Sequence, residues 1–273
     1  MSAEVVSAVA RKSEHGEPLY FQHTSFYPEM ATSTPWEYST NDMTVIVSVY
    51  TPEGFVVGAD GLRMSANKKT VVSNSTQKLF HFYAGNIRLI YGWCGNTQFF
   101  GRNGECLFDF IAQTEPLLSA ASVYAPVDCV AFLHFIRIGL DTLLWNSKLV
   151  RRGDSFPLDI QGELARMLLI GYFHSTPFKA EIKILVEDQM LKPVMISQCQ
   201  LPLHPLKDIF SGSQRAFEGF ESVHPADRVE ALKFVRNYIQ ACIDRPDSLQ
   251  TYGGHIHIAE LDQNEFDWVE PPI

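Results

Sequence analysis

A change of texture at Thr44 constrains the fold of this chain more than any other feature of its sequence. Residues 1–43 mix polar and aromatic side chains with no period of 2 or 3.6, and they carry Pro18, Pro28, Pro35 and a Ser/Thr cluster at 32–34. That stretch predicts a loop-rich extension or propeptide. At Thr44 the chain turns β-branched and apolar. Thr44-Val-Ile-Val-Ser-Val-Tyr50 is followed by the turn Thr51-Pro-Glu-Gly54 and a second apolar run, Phe55-Val-Val-Gly-Ala59, which together predict a hairpin. Two further strand-like runs, 78–83 and 87–93, flank Ala84-Gly85-Asn86.

Helical spacing takes over from Phe99 to Gln113, where Phe100, Leu107, Phe108 and Ile111 share a face, and again from Val127 to Leu149, a longer and strongly apolar stretch. Strands are predicted at 165–173, 179–187 and 194–198, with a short one near 208–210. Pro225 opens a third helix reaching about Cys242, with Val229, Leu232, Val235 and Ile239 inward, and Gly253-Gly254 introduces a last strand at 256–261. Groups of strands separated by helices, without strict βαβ units, predict an α+β layered domain with mostly antiparallel sheets. Residues 44–273 suit one large domain.

Composition narrows the function. With 22 Lys+Arg against 31 Asp+Glu the net charge is −9, and the dense basic runs are no longer than pairs such as Lys68-Lys69 and Arg151-Arg152. This balance argues against nucleic acid as a partner, which demands clustered cations. The most apolar stretch, 127–144, contains Asp128, His134, Arg137 and Asp141, so no membrane span is predicted. Arg11-Lys12 follows the short apolar segment 5–10 instead of preceding it, unlike a secretory signal. Five widely spaced cysteines without a C-x-x-C pair argue against a disulfide framework or structural zinc and suit a reducing cytoplasm.

Several short motifs occur at a recognisable spacing. The opening strand with Gly54, the segment Val56-Val-Gly-Ala-Asp60 with Arg63, and Gln77-Lys78-Leu-Phe80 together resemble the proteasome β-type N-terminal-nucleophile hydrolases, especially their bacterial proteasome-related branch. The likeness is specific over 44–95, at Ser211-Gly212-Ser213 and at Gly253-Gly254; elsewhere only the order of elements agrees. It implies a four-layer αββα sandwich with two central antiparallel sheets. It also implies a threonine peptidase or amidohydrolase acting on peptide or protein substrates, a homo-oligomeric ring, an ATPase or regulator of unknown identity, and no cofactor or catalytic metal. By the resemblance Thr44 is the nucleophile, Lys78 its electrostatic activator, Asp60 the partner of that lysine, Gly95 the oxyanion N–H donor and Ser211 a support for the nucleophile. Trp93 falls at the base of the main specificity pocket.

The chemistry of these residue types is consistent with such roles. A threonine hydroxyl needs a base, and the α-amine of the same residue serves because it titrates near neutrality. This requires Thr44 to become the first residue. Translation starting at Met43, with removal of that methionine, would expose it, as would processing of residues 1–43; an intact extension implies a dormant subunit. A lysine ammonium nearby lowers the pKa of the amine and stabilises developing negative charge, while a carboxylate fixes that lysine. The segment Gly92-Trp-Cys-Gly95-Asn96-Thr97 is expected to end a strand and open a helix, where N–H groups would point outward. One motif departs from the family pattern: Asp247-Ser248-Leu-Gln-Thr-Tyr252-Gly-Gly puts Leu249 and Tyr252 where Asp and Ser are expected, leaving Asp247 or Ser248 as substitutes if the loop shifts.

Structural readings stand beside each of these. Thr44 is a good strand residue, Asp60 and Lys78 make an ordinary ion pair, and Gly95 suits a turn. His255 and His257 lie on one strand face, where a packed pair is a simpler reading than a metal site lacking a third ligand. Cys94 reads as a small buried hydrophobe, and His134 as a core or interface histidine. Two other functional readings accompany the peptidase: an inactive structural ring subunit, and a small-molecule amidase on the same fold.

Overall fold

The computed structural model describes residues 44–64, 71–100, 105–147, 162–188, 190–245 and 252–273, all within the unit Tyr38–Ile273. The predicted extension 1–43 lies outside the described residues.

Two large antiparallel sheets organise the chain. The first takes β1 (Ile46–Thr51), β2 (Gly54–Ala59), β13 (Leu206–Ser211), β14 (His257–Leu261) and β15 (Phe266–Glu270) in the order β13-β1-β2-β14-β15. The second takes β5 (Leu79–Ala84), β6 (Ile87–Gly95), β9 (Gly162–Phe173), β10 (Thr176–Glu187) and β11 (Met190–Leu191) in the order β11-β10-β9-β6-β5, and β12 (Met195–Gln200) also pairs with β10. Two-stranded ribbons join β3 (Arg63–Met64) to β4 (Val71–Ser73) and β7 (Gln98–Phe100) to β8 (Cys106–Asp109). Among the described residues the helices are α1 (Phe110–Tyr124), α2 (Cys129–Trp145), the single turn α3 (Gln214–Phe217) and α4 (Arg228–Asp244).

The unbroken β-branched run at the start of the domain follows from burial on both faces. Ile46, Phe55, Val57 and Ala59 turn toward Leu79, Ile90, Leu168 and Ile170 of the second sheet. Val45, Val47, Val49 and Val56 turn the other way, onto Val235, Tyr238 and Ile239 of α4. A strand with a packed partner on each side has no solvent face to mark with polar residues, so its sequence does not alternate. The outer face of the second sheet, with Leu89, Trp93, Phe178 and Ile182, packs under α1 and α2. Each longer helix starts on an aspartate that caps a free N–H: Asp109 for α1, Asp128 for α2 and Asp227 for α4.

The four-layer αββα sandwich expected from the sequence is overturned. Strand makes up 44% of the described chain against 26% helix, spread over several antiparallel sheets, so the molecule is sheet-dominated and its helices are partial, unequal covers. Part of the excess strand arises where helical spacing is misleading. The helix expected at Phe99–Gln113 begins only at Phe110, and 98–100 pairs with 106–109 as a ribbon. The intervening Gly101-Arg-Asn-Gly104 carries two helix-breaking glycines that an apolar count passes over. Conversely, α1 continues through Pro116 to Tyr124, and the closing strand β15 is not predicted at all.

Candidate active site

Asp60 follows β2 directly and is fully buried. Its Oδ1 accepts hydrogen bonds from the Val45 N–H at 2.9 Å and from Lys78 Nζ at 2.6 Å, and its Oδ2 accepts from the Gly253 N–H at 3.2 Å. The Asp60 N–H in turn donates to the Val45 carbonyl at 3.3 Å. A buried carboxylate–ammonium pair loses much hydration energy, and extra donors are what make such a pair tolerable. Here two backbone N–H groups supply them. The site therefore joins four chain segments: the start of β1, the end of β2, the approach to β5 and the Gly253-Gly254 turn.

Thr44 precedes β1 and is 8% exposed. Its carbonyl accepts a hydrogen bond from the Ser211 hydroxyl, whose oxygen lies 3.7 Å from Cys94 Sγ. Ser211 reaches it because β13 pairs with β1 so that Ser211 stands opposite Ile46. Ser213 turns elsewhere: its hydroxyl donates to the Arg245 carbonyl at 2.6 Å and ties down the end of α4.

Gly95 closes β6 with φ +86, and a Cβ there would sit 2.7 Å from the Leu164 carbonyl oxygen. The next N–H, of Asn96, donates to that same oxygen at 2.9 Å. Only glycine fits such a bend. Trp93, two residues earlier, points into the core beneath α1. Its indole N–H donates to Thr114 Oγ1 at 2.9 Å and its ring lies 4.8 Å from that of Phe110. Where the sequence suggests a pocket base, the indole fills the space. A cavity of about 520 Å³ opens elsewhere, with Phe80, Tyr91, Ile111 and Glu115 in its lining; burial first, and then the Glu115 carboxylate, push Tyr91 up to about 12.

Asp247 and Ser248 lie outside the described residues. Tyr252 is buried in the core under α4. The glycines that follow have a clear purpose. Gly254 has φ +75 and approaches the Asn74 carbonyl so closely that a Cβ would fall 2.3 Å from its oxygen, while the Gly61 N–H donates to the Gly253 carbonyl at 3.1 Å. This tight seam presents the Gly253 N–H to Asp60.

His257 belongs to the site although the sequence reading leaves it as a packed residue. It is buried on β14, and its Nε2 accepts a hydrogen bond from the Lys78 N–H at 3.3 Å. Burial first, and then the Lys78 ammonium, lower its pKa to about 4, so the ring is neutral at ordinary pH with its proton on Nδ1. His255 takes a separate partner, with Nε2 at 2.8 Å from the Pro271 carbonyl. Arg166 is a second residue that spacing does not reveal. Its Nη1 donates to the Phe210 carbonyl at 2.8 Å and its Nε to Glu163 at 2.7 Å, beside Ser211. A single arginine within the apolar strand 164–173 is the one signal that could have found it.

The structure thus places Thr44 with Ser211 and Asp60 with Lys78 in two hydrogen-bonded sets, which meet where Asp60 accepts from the N–H of Val45, the residue after Thr44, with Gly95 ending the strand that carries Cys94. Trp93 faces the opposite side of that strand. A scan against protein-family models finds no match for this chain, and a search among curated proteins finds none either. No helix among the described residues is long and apolar enough to cross a membrane.

Proposed function

We propose that this chain is a proteasome-type threonine peptidase or amidohydrolase that uses Thr44 as its N-terminal nucleophile. One observation carries the reading: a single buried oxygen of Asp60 accepts from both the Lys78 ammonium and the N–H of the residue joined to Thr44. In this reading the α-amine, once freed, takes the proton of the Thr44 hydroxyl as its oxygen attacks the substrate carbonyl carbon. The lysine charge favours the unprotonated amine and the developing anion, and the N–H of Gly95 receives the oxyanion. The amide C–N bond then breaks, the leaving amine carries away the proton, and water hydrolyses the Thr44 ester. Ser211 holds the Thr44 carbonyl and so the orientation of the nucleophile. The proposal includes a homo-oligomeric ring in the cytoplasm, peptide or protein substrates, and neither cofactor nor metal.

A silent structural subunit is the second reading. It is favoured by the burial of Tyr252 where a serine is expected, and the indole packed at Trp93 favours small amides over peptides if the site turns over. N-terminal sequencing of the protein from its own host separates the first two readings: a chain beginning at Thr44 supports the nucleophile, and one still beginning at Met1 removes the base it needs. With the mature form, Thr44→Ala lowers cleavage of fluorogenic peptides or small amides by at least about a thousandfold. Unchanged turnover would eliminate Thr44.

A further inference from the structure

Away from the Thr44 group, two cysteines on different elements meet. Cys129 is the first residue of α2 and is buried, Cys199 lies exposed on β12, and their side chains hydrogen-bond to each other. The packing brings this about in two ways. First, β12 pairs with β10 as Ile182↔Ile196 and Ala180↔Cys199, with an irregularity between Glu181 and Ile182 that places one extra residue on β12. Residues 196 and 199 would otherwise point to opposite faces; the bulge puts both on the face of Ala180 and Ile182, which packs under α2. Second, α2 runs antiparallel to β12. Arg137 Nη1 donates to the Val194 carbonyl at 3.4 Å, and Asp141 Oδ1 accepts from the Val194 N–H at 3.0 Å. From that anchor back to Cys129 the helix advances about 12–18 Å, and from Val194 forward to Cys199 the strand advances about 16 Å. The two thiols arrive at the same level.

We propose that Cys129 and Cys199 form a reversible disulfide, a redox-modification site that joins the start of α2 to the edge strand β12 by exchange with a low-molecular-weight disulfide such as oxidised glutathione. The Cys199 thiolate attacks one sulfur of the small disulfide; a new S–S bond forms to Cys199 and one glutathione thiolate leaves. Cys129 then gives up its proton, its sulfur attacks the Cys199 sulfur, the mixed S–S bond breaks, and the second glutathione thiolate departs. Two protein thiols are oxidised, one small disulfide is reduced to two thiols, and the two protein protons end on them. Exposure assigns Cys199 as the attacking sulfur and the buried Cys129 as the resolving one; the hydrogen bond between them holds the Cys199 thiol below its ordinary value and, with burial, pushes Cys129 up, in the same sense.

Peptide mapping tests this on the full chain. The folded protein is incubated with oxidised glutathione, remaining thiols are alkylated before unfolding, and the digest is analysed without reductant. The expected product is a peptide pair joined through Cys129 and Cys199, while Cys106, exposed on β8, carries glutathione as a mixed disulfide. Cys129→Ser leaves Cys199 trapped as its glutathione adduct, and Cys199→Ser leaves Cys129 reduced. Wild-type protein in which Cys199 is recovered as the adduct or as free thiol, without the link to Cys129, overturns the proposal. A link that forms only in denaturant overturns it equally.

Discussion

Asp60 is the residue on which the Thr44 end of the molecule depends. Its partners are unequal in kind: Lys78 brings a charge, whereas Val45 and Gly253 bring only N–H groups. Asp60→Ala therefore strands a buried ammonium, with an expected loss of about 3–5 kcal/mol. Lys78→Met, which removes the charge and keeps the length, leaves a carboxylate that retains two donors and costs less. A double-mutant cycle by urea unfolding should give a coupling of at least about 1 kcal/mol; purely additive losses would contradict the pairing described. The Asp60–Lys78 relation is legible in the sequence because the residues lie close along the chain and at a familiar spacing. The hydrogen bond from Lys78 to His257 spans 179 residues, and nothing local in His255-Ile-His257 distinguishes the histidine that serves the site from the one that binds the Pro271 carbonyl.

Among the elements, the Gly253-Gly254 seam converts backbone conformation into support for a side chain. At Gly254 a methyl group would meet the carbonyl oxygen of Asn74, a rigid neighbour, whereas at Gly85, also at positive φ, added atoms meet open space. Gly85→Ala should cost about 1 kcal/mol from conformation alone. Gly254→Ala should cost more, roughly 2–4 kcal/mol, and should weaken any Thr44-dependent turnover because the Gly253 N–H moves from Asp60. Equal denaturation midpoints for the two variants would refute the role given to the seam. Glycine pairs are visible in a sequence; the carbonyl they must pass is not, since Asn74 comes from a distant loop. The same limit misplaces a helix at 99–113, where apolar spacing fits a helix face and a paired ribbon alike until residues 98–100 find 106–109.

For the whole molecule, the hairpin at 46–59 and most later strands are legible because burial on both faces leaves an unmistakable β-branched run. The balance of the fold is not: ribbons and a closing strand built from mixed residues raise the share of sheet beyond what periodicity suggests. Global stability also answers to His257. Its folded value of about 4 lies below the ordinary 6.5, so between those pH values the unfolded chain binds a proton that the folded chain does not. Stability from this group is complete above about pH 6.5, falls as the pH drops through that window and levels off below about 4, a loss on the order of 3 kcal/mol. His257→Gln, which keeps an acceptor for the Lys78 N–H but does not titrate, should show a shallower fall in urea midpoint between pH 7 and 4.5. Identical slopes would sink this assignment. The carboxylate of Asp60 meets its donors across separations of 15, 18 and 193 residues. On a ribosome adding about 5–20 residues per second, the Gly253 N–H emerges about 10–40 s after Asp60 itself. The site is therefore a late product of synthesis, and in a nascent chain Thr44 stands beside an incomplete Asp60 cradle until the final strands of the first sheet have been made.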